Sequence, residues 1–121
     1  MSIRGAKEQI TRAILSWEGV TAHAHRFGGT EFRLGRREIG HIHGDYLVDI
    51  PFPQKVRDEI VAAGRAEPHH VLPESGWTSF YLREPADVER AISLFRQSFE
   101  LALKQRLSRQ TRPDQSSKEP A

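Results

Sequence analysis

The sequence contains no cysteine and a single methionine in 121 residues. Without cysteine the chain has no disulfide framework, no thiolate nucleophile and no cysteine-based zinc or iron–sulfur site. Several catalytic motifs are missing as well: the P-loop, the glycine-rich dinucleotide fingerprint, the nucleophile elbow of the serine hydrolases and the zinc-binding H-E-x-x-H helix. Phosphoryl or acyl transfer by those routes is therefore not supported.

Long apolar runs are also missing. None approaches the ~20 residues of a transmembrane helix, and the first residues lack the apolar region of a signal peptide, so we expect a cytoplasmic protein without membrane contact. The formal net charge is +2, but five of the 18 basic residues and only two of the 16 acidic ones lie from Lys104 onward. The rest of the chain is close to neutral, so its charge does not predict a nucleic-acid partner.

Apolar periodicity predicts an α+β domain with an antiparallel meander sheet and three helices packed on one face. The predicted helices cover residues 6–17, 53–63 and 85–106. The predicted strands cover residues 20–25, 30–34, a segment around His41 and His43, 46–50 and 77–82. We expect one domain over residues 1–106 and a disordered, polar and basic tail over 107–121.

The His-x-His strand is the most informative stretch. Strict alternation would put Ile39, His41 and His43 on one face and Glu38, Gly40 and Ile42 on the other face. A second pair, His69 and His70, lies in the connection over residues 64–76, which could fold over the histidine face. We therefore expect both pairs to meet in one pocket beside Trp77.

Three interpretations of His41, His43 and His70 remain open at this point. They could bind zinc or another divalent ion, with Asp45 or Asp49 as an additional ligand or as a partner that orients a ligand. They could act as acid and base groups in a metal-free pocket, because histidine titrates near neutrality. They could also be structural residues of an interaction domain. For His23 and His25 we favour the structural interpretation.

The residues from Arg37 to His43, the His70-Val71-Leu72 segment and the Trp77-Thr78 pair resemble the luciferase domain family. The family includes the C-terminal part of the fungal luciferase and small stand-alone bacterial proteins. The resemblance extends over residues 17–103. It implies an α+β fold and a pocket for an aromatic, enol-bearing molecule that reacts with O₂ without a bound cofactor.

The resemblance also implies roles for particular residues. His41, His43 and His70 would be the catalytic histidines, one of which takes the enol proton. Trp77 and Tyr81 would stack on the ring of a small-molecule substrate, and we expect Arg37 and His69 to contribute to binding. A divalent metal such as zinc, held by the three catalytic histidines, is the alternative to cofactor-free chemistry. The family name alone does not predict light emission, because a fold does not fix a function.

Overall fold

The computed structural model describes residues 2–25 and 28–110. In chain order the elements are α1 (Ala6–Leu15), β1 (Val20–Ala24), β2 (Thr30–Leu34), β3 (Arg37–His43), β4 (Leu47–Pro51), α2 (Gln54–Ala62), β5 (Glu67–Pro68), β6 (Trp77–Tyr81) and α3 (Asp87–Gln110). Helix α3 thus continues four residues past the predicted end at Arg106. Residues 111–121 of the predicted tail lie outside the described residues.

The six strands form one antiparallel sheet in the order β1-β2-β3-β4-β6-β5. The first four strands are a meander, and β6 joins beside β4 after the chain has passed through α2. The predicted α+β fold is confirmed. The short strand β5 was not predicted; it lies inside the 64–76 connection and pairs with β6. In the described part of the chain, no helix is both long and apolar enough to cross a membrane.

One face of the sheet is covered by α3 and forms the apolar core. Helix α3 packs against β2, β3 and β4 and against α1. At the centre, Phe95 of α3 meets Phe32 of β2 edge-to-face at a ring distance of 5.6 Å, and both side chains are fully buried. Ile10 and Ile14, from the predicted apolar stripe of α1, are buried in the same core. Burial of these large side chains is the main source of stability.

An aspartate from the sheet fixes the start of α1. Asp45, in the turn between β3 and β4, accepts backbone N–H bonds from Gly5 (3.3 Å) and Lys7 (2.8 Å) at the start of α1. A carboxylate there satisfies free N–H groups and favours the helix dipole. Asp45, one of two candidate additional metal ligands, therefore caps α1.

A β-bulge in β3 corrects the predicted assignment of faces. Phe32 pairs with Gly40 but the next residue of β2 pairs with Glu38, so Ile39 is an extra residue in β3. A bulge reverses the alternation of faces on its far side. Glu38 consequently lies on the same face as His41 and hydrogen-bonds to it, whereas Ile39 is fully buried in the core. Strict alternation was therefore wrong for the first residues of β3.

Candidate functional site

A row of polar residues crosses the other face of the sheet. His41 of β3 pairs directly with Asp49 of β4, and Asp49 pairs with Ser79 of β6. Directly paired residues in an antiparallel sheet point to the same face, so the three side chains are neighbours. The Ser79 hydroxyl donates to Asp49 Oδ1 at 2.8 Å. Asp49 is only 1% exposed, which makes it the buried centre of the site.

Four imidazoles point their Nε2 atoms at the other oxygen of that carboxylate. The distances to Asp49 Oδ2 are 3.1 Å from His43, 3.3 Å from His41, 3.3 Å from His70 and 3.6 Å from His69. The first two histidines come from β3, and the other two from the connection between β5 and β6. The predicted convergence of the two histidine pairs is therefore present.

Four ring nitrogens are more than one carboxylate oxygen can pair with by hydrogen bonding. A carboxylate offers about four lone-pair positions in total, or about two on each oxygen. Four ring nitrogens surround Asp49 Oδ2, and Oδ1 is already used by Ser79. The ring nitrogens around Asp49 Oδ2 therefore outnumber the lone pairs that this oxygen offers.

Hydrogen bonds at Nδ1 assign different roles to two of these rings. His41 Nδ1 lies 2.7 Å from Glu38 Oε2, a carboxylate that can only accept, so Nδ1 carries a proton. His69 Nδ1 instead accepts the backbone N–H groups of Val71 (3.1 Å) and Leu72 (3.0 Å). The proton of a neutral His69 ring is therefore on Nε2. His69 presents an N–H donor toward Asp49, whereas a neutral His41 presents a lone pair.

Burial and charge set the protonation of the cluster. Burial alone would lower the pKa of His41, but its contacts with Asp49 and Glu38 outweigh burial and raise the pKa to about 9. Burial alone would raise the pKa of Asp49, but the hydrogen bond with His41 and other polar contacts lower it below its usual range. Burial lowers the pKa of both His43 and His69. Asp49 is therefore an anion at neutral pH, with two neutral imidazoles close by.

The cluster lies in a cavity of about 470 Å³ that opens to solvent. The Trp77 ring forms one side, 5.3 Å from the His41 ring between centroids. Val71 and Leu72 are 65% and 51% exposed and form an apolar rim. The cavity is lined by His25, His41, His43, Asp49, His69, His70, Val71, Leu72 and Trp77. A concave, mostly apolar wall with a few converging polar groups is typical of a small-ligand site.

Two predicted site residues are not brought to this cavity. Tyr81 of β6 pairs with Leu47 of β4, which pairs with His43, so Tyr81 lies two strands away from His43. Its ring is covered by the Arg83 guanidinium at 5.0 Å. Arg37 lines a separate cavity beside Arg106 and Arg109 of α3, where burial and the charge of Arg109 lower its pKa. The bulge explains the position of Arg37, because it exchanges the faces of Arg37 and Glu38 relative to strict alternation.

Three residues of the site were underestimated from the sequence. Glu38 was assigned to the wrong face, and Asp49 was considered only as an alternative to Asp45. His25 was interpreted as structural, yet its ring stacks on His41 at 4.0 Å and lines the cavity. His23 hydrogen-bonds to a threonine of its own strand and does not line the cavity. The sequence signal for Asp49 is that an acidic residue comes to lie opposite a histidine when the two adjacent predicted strands are paired.

The fold and the cavity define a class of protein: an antiparallel α+β domain that buries a histidine–aspartate cluster on its open sheet face. The model of the family described as Luciferase domain matches residues 36–98, slightly more than half of the chain, and the chain belongs to this family. The predicted resemblance is confirmed. The matched segment includes Glu38, His41, His43, Asp49, His69, His70 and Trp77. Neither the curated proteins nor the solved structures gave a match to this chain.

Proposed function

We propose that this Luciferase-domain protein binds a small planar molecule that carries an acidic enol or phenol hydroxyl group, and that a pocket histidine removes the hydroxyl proton. The observation that carries the proposal is the convergence of four imidazole Nε2 atoms on Asp49 inside a solvent-accessible cavity. The resemblance to the fungal luciferase, which acts on a hydroxylated pyrone, supports the same class of ligand.

The walls of the cavity suit an aromatic ring. Trp77 offers a flat side, and the exposed side chains of Val71 and Leu72 would lose water when a ligand covers them. Aromatic stacking contributes about 1 kcal/mol beyond the burial of surface. The volume of about 470 Å³ is within the range of pockets for small ligands. Binding would thus be driven by the apolar walls and oriented by the polar floor.

The proton acceptor would be His70. Its side chain is 37% exposed, the most exposed of the four around Asp49, so an entering hydroxyl group can reach it. Its Nε2 lies 3.3 Å from Asp49 Oδ2, and the carboxylate stabilises the imidazolium that forms. The Nε2–H of His69 would donate to the resulting ligand anion. His41 and His43 lie deeper and would line the floor beneath the ligand.

An enolate formed in this way is electron-rich and can react with O₂. A new C–O bond forms between the enolate carbon and O₂, and the two electrons of that bond come from the enolate. The imidazolium proton moves to the distal oxygen, so the products are a neutral histidine and a hydroperoxide. Proton transfer and O₂ consumption are separate readouts of this proposal.

The test uses 7-hydroxycoumarin, a benzopyrone with one ionisable hydroxyl group and no chelating pair. Protein without a His-tag is treated with EDTA and mixed with the probe, and absorbance reports the neutral and anionic forms. We expect a larger anion fraction than in buffer. The variant His70→Ala should abolish this increase and retain weakened binding. O₂ consumption with hydroxylated pyrones, measured by electrode, extends the test to the oxygenation step.

The matched control is His23→Ala, which removes a histidine from the same sheet face outside the cavity. It should behave as the unmodified protein does. A second variant, Trp77→Leu, should weaken probe binding without altering the anion fraction of the bound probe. The proposal is wrong if 7-hydroxycoumarin and the hydroxylated pyrones fail to bind, or if His70→Ala and His23→Ala give the same anion fraction.

A further inference from the structure

The deepest part of the cavity holds three side chains from two adjacent strands. His41 and His43 are alternate residues of β3, and Asp49 is the cross-strand partner of His41. Their ligand atoms lie within 4.8 Å of one another. His41 is 7% exposed and Asp49 is 1% exposed, so two of the three are more than nine-tenths buried. The strand pairing, not a mobile loop, holds these atoms together.

The spacing of the atoms matches ligands that share one metal ion. Two ligands that are each about 2.1 Å from an ion are about 3.0 Å apart at a right angle and about 3.4 Å apart at the tetrahedral angle. Asp49 Oδ2 lies 3.1 Å from His43 Nε2 and 3.3 Å from His41 Nε2. Both distances are within that interval. From this geometry we infer that His41, His43 and Asp49 bind one divalent transition-metal ion.

The hydrogen bond at His41 Nδ1, the ring nitrogen that does not face Asp49, is a second, independent observation that supports the metal site. Metal-binding histidines usually donate their other ring N–H to a carboxylate or carbonyl, which fixes the tautomer and the ring orientation. His41 Nδ1 makes this bond to Glu38 at 2.7 Å, and the bulge at Ile39 is what brings Glu38 to that face. Ser79 holds the other oxygen of Asp49 at 2.8 Å in the same way. Two of the three ligands are thus oriented by further partners.

The neighbouring triad of Asp49, His69 and His70 is less suited to an ion. Its ligand atoms also lie within 4.8 Å of one another. However, His69 Nδ1 accepts two backbone N–H bonds, so its proton is on the Nε2 atom that faces Asp49. The lone pair of a neutral His69 ring is therefore already used at Nδ1, whereas a neutral His41 ring, with its proton on Nδ1 beside Glu38, has its lone pair on Nε2. The ion therefore belongs on the side of His41 and His43, and His69 acts as a hydrogen-bond donor.

The donor set restricts the ion. Two imidazoles and one carboxylate suit Fe²⁺, Co²⁺, Ni²⁺ and Zn²⁺ better than Ca²⁺ or Mg²⁺, which prefer oxygen ligands. Three protein ligands leave coordination positions that face the cavity. The metal site itself does not require the proposed enol ligand; that an enol oxygen would take an open position rests on the proposed function. The inference takes up the alternative of a divalent metal, with Asp49 in place of His70 as the third ligand.

The experiment uses Co²⁺ alone, with no organic ligand. The full chain without a His-tag is stripped with EDTA, desalted and titrated, and the visible d–d absorption reports coordination. We expect saturation at one equivalent. His43→Ala should weaken binding at least about 100-fold, and Glu38→Gln, which changes only the orienting partner, about 10-fold. His23→Ala, outside the cavity, should leave the titration unchanged.

His69→Ala and His70→Ala decide between the two triads. Each should retain one equivalent of Co²⁺ with at most a few-fold change in affinity. Circular dichroism of every variant verifies the fold, and His43→Gln serves as a milder replacement if His43→Ala unfolds. Absence of d–d absorption in the unmodified protein, or loss of binding on mutation of His69 and His70 but not of His43, would overturn the inference. The experiment with 7-hydroxycoumarin is done in EDTA and therefore without metal. Failure of the proposed proton transfer does not imply failure of the metal site, and the reverse also holds.

Discussion

The two faces of the sheet bury different chemistry. On the helix face, α3 covers an apolar surface centred on Phe32 and Phe95, and this surface is continuous with the buried residues of α1. On the cavity face, Asp49, His41 and His69 are nearly as inaccessible, whereas His43 and His70 are partly exposed. Apolar burial stabilises a fold, whereas a buried carboxylate with surplus donors does so poorly. The first face therefore accounts for stability, and the second is interpreted as the site of function.

The largest expected effect comes from breaking the helix face. Phe95→Ala removes a fully buried ring that packs on Phe32 and leaves a cavity at the centre of the core. We expect a loss of about 4 kcal/mol in the free energy of unfolding, measured by urea denaturation. Phe95→Leu, which fills most of the space, should cost less than half as much. Equal costs for both variants would contradict the assignment of Phe95 to the core centre.

A second variant breaks the close packing of α3 on β3. Gly40 has a φ of 144°, and a Cβ there would lie 2.5 Å from Phe95 Cε1 and 3.0 Å from the Asp49 carbonyl oxygen. Gly40→Ala should therefore cost about 3 kcal/mol, from the backbone strain and the overlap together. Gly35→Ala is the control, because its φ is also positive but no heavy atom lies within 4 Å. It should cost about 1 kcal/mol.

A third prediction concerns charge away from both faces. Asp87 Oδ2 accepts backbone N–H bonds from Arg83 (2.8 Å) and Glu84 (3.1 Å) at the start of α3. Burial alone would raise its pKa, but these bonds and Arg90 lower it. The stabilisation is therefore present above the unfolded-state pKa of about 4 and is lost as the pH falls through the lower native value.

Asp87→Asn should accordingly cost about 1 kcal/mol at pH 7. The difference from the unmodified protein should shrink as the pH falls below about 4, since both chains then carry a neutral side chain. Urea denaturation at several pH values measures the difference. Glu89→Gln, an exposed position in the same helical turn, is the control and should change stability by less than about 0.5 kcal/mol at each pH. A pH-independent cost for Asp87→Asn would contradict the electrostatic account.

The smallest stability effect is expected on the cavity face. His70 is 37% exposed and is attached to a connection, so His70→Ala should change the free energy of unfolding by about 0.5 kcal/mol or less. The same substitution should abolish the increase in the anion fraction of 7-hydroxycoumarin. A large loss of stability would show that the histidine cluster holds the fold together and would remove the contrast between the two faces.

Local patterns were sufficient to predict most of the fold. The apolar stripe of α1 and the long seam of α3 follow from side-chain periodicity, and the turns of the meander follow from their glycines; both signals act through nearby residues. The bulge at Ile39 has a local signal in Gly40, because glycine within a strand often marks a bulge or a close approach, but its register depends on how β3 packs between β2 and Phe95. That one extra residue exchanged the faces of Arg37 and Glu38.

The candidate site was predictable in its histidines but not in its centre. The His41-x-His43 spacing and the His69-His70 pair are visible in the chain, and the fold brings them together. The central position of Asp49 requires the hairpin register of β3 against β4, which is set by the turn between them and which side-chain periodicity alone does not specify. Tyr81 shares a strand face with Trp77, but it lies too far along that strand to reach the cavity.

Anomalous diffraction from a crystal of the tag-free protein grown with Zn²⁺ tests the central claim most directly. The account predicts one zinc peak about 2.1 Å from His41 Nε2, His43 Nε2 and Asp49 Oδ2. A peak held by Asp49, His69 and His70 instead, or Asp49 surrounded by the same imidazoles with no zinc among them, would contradict it.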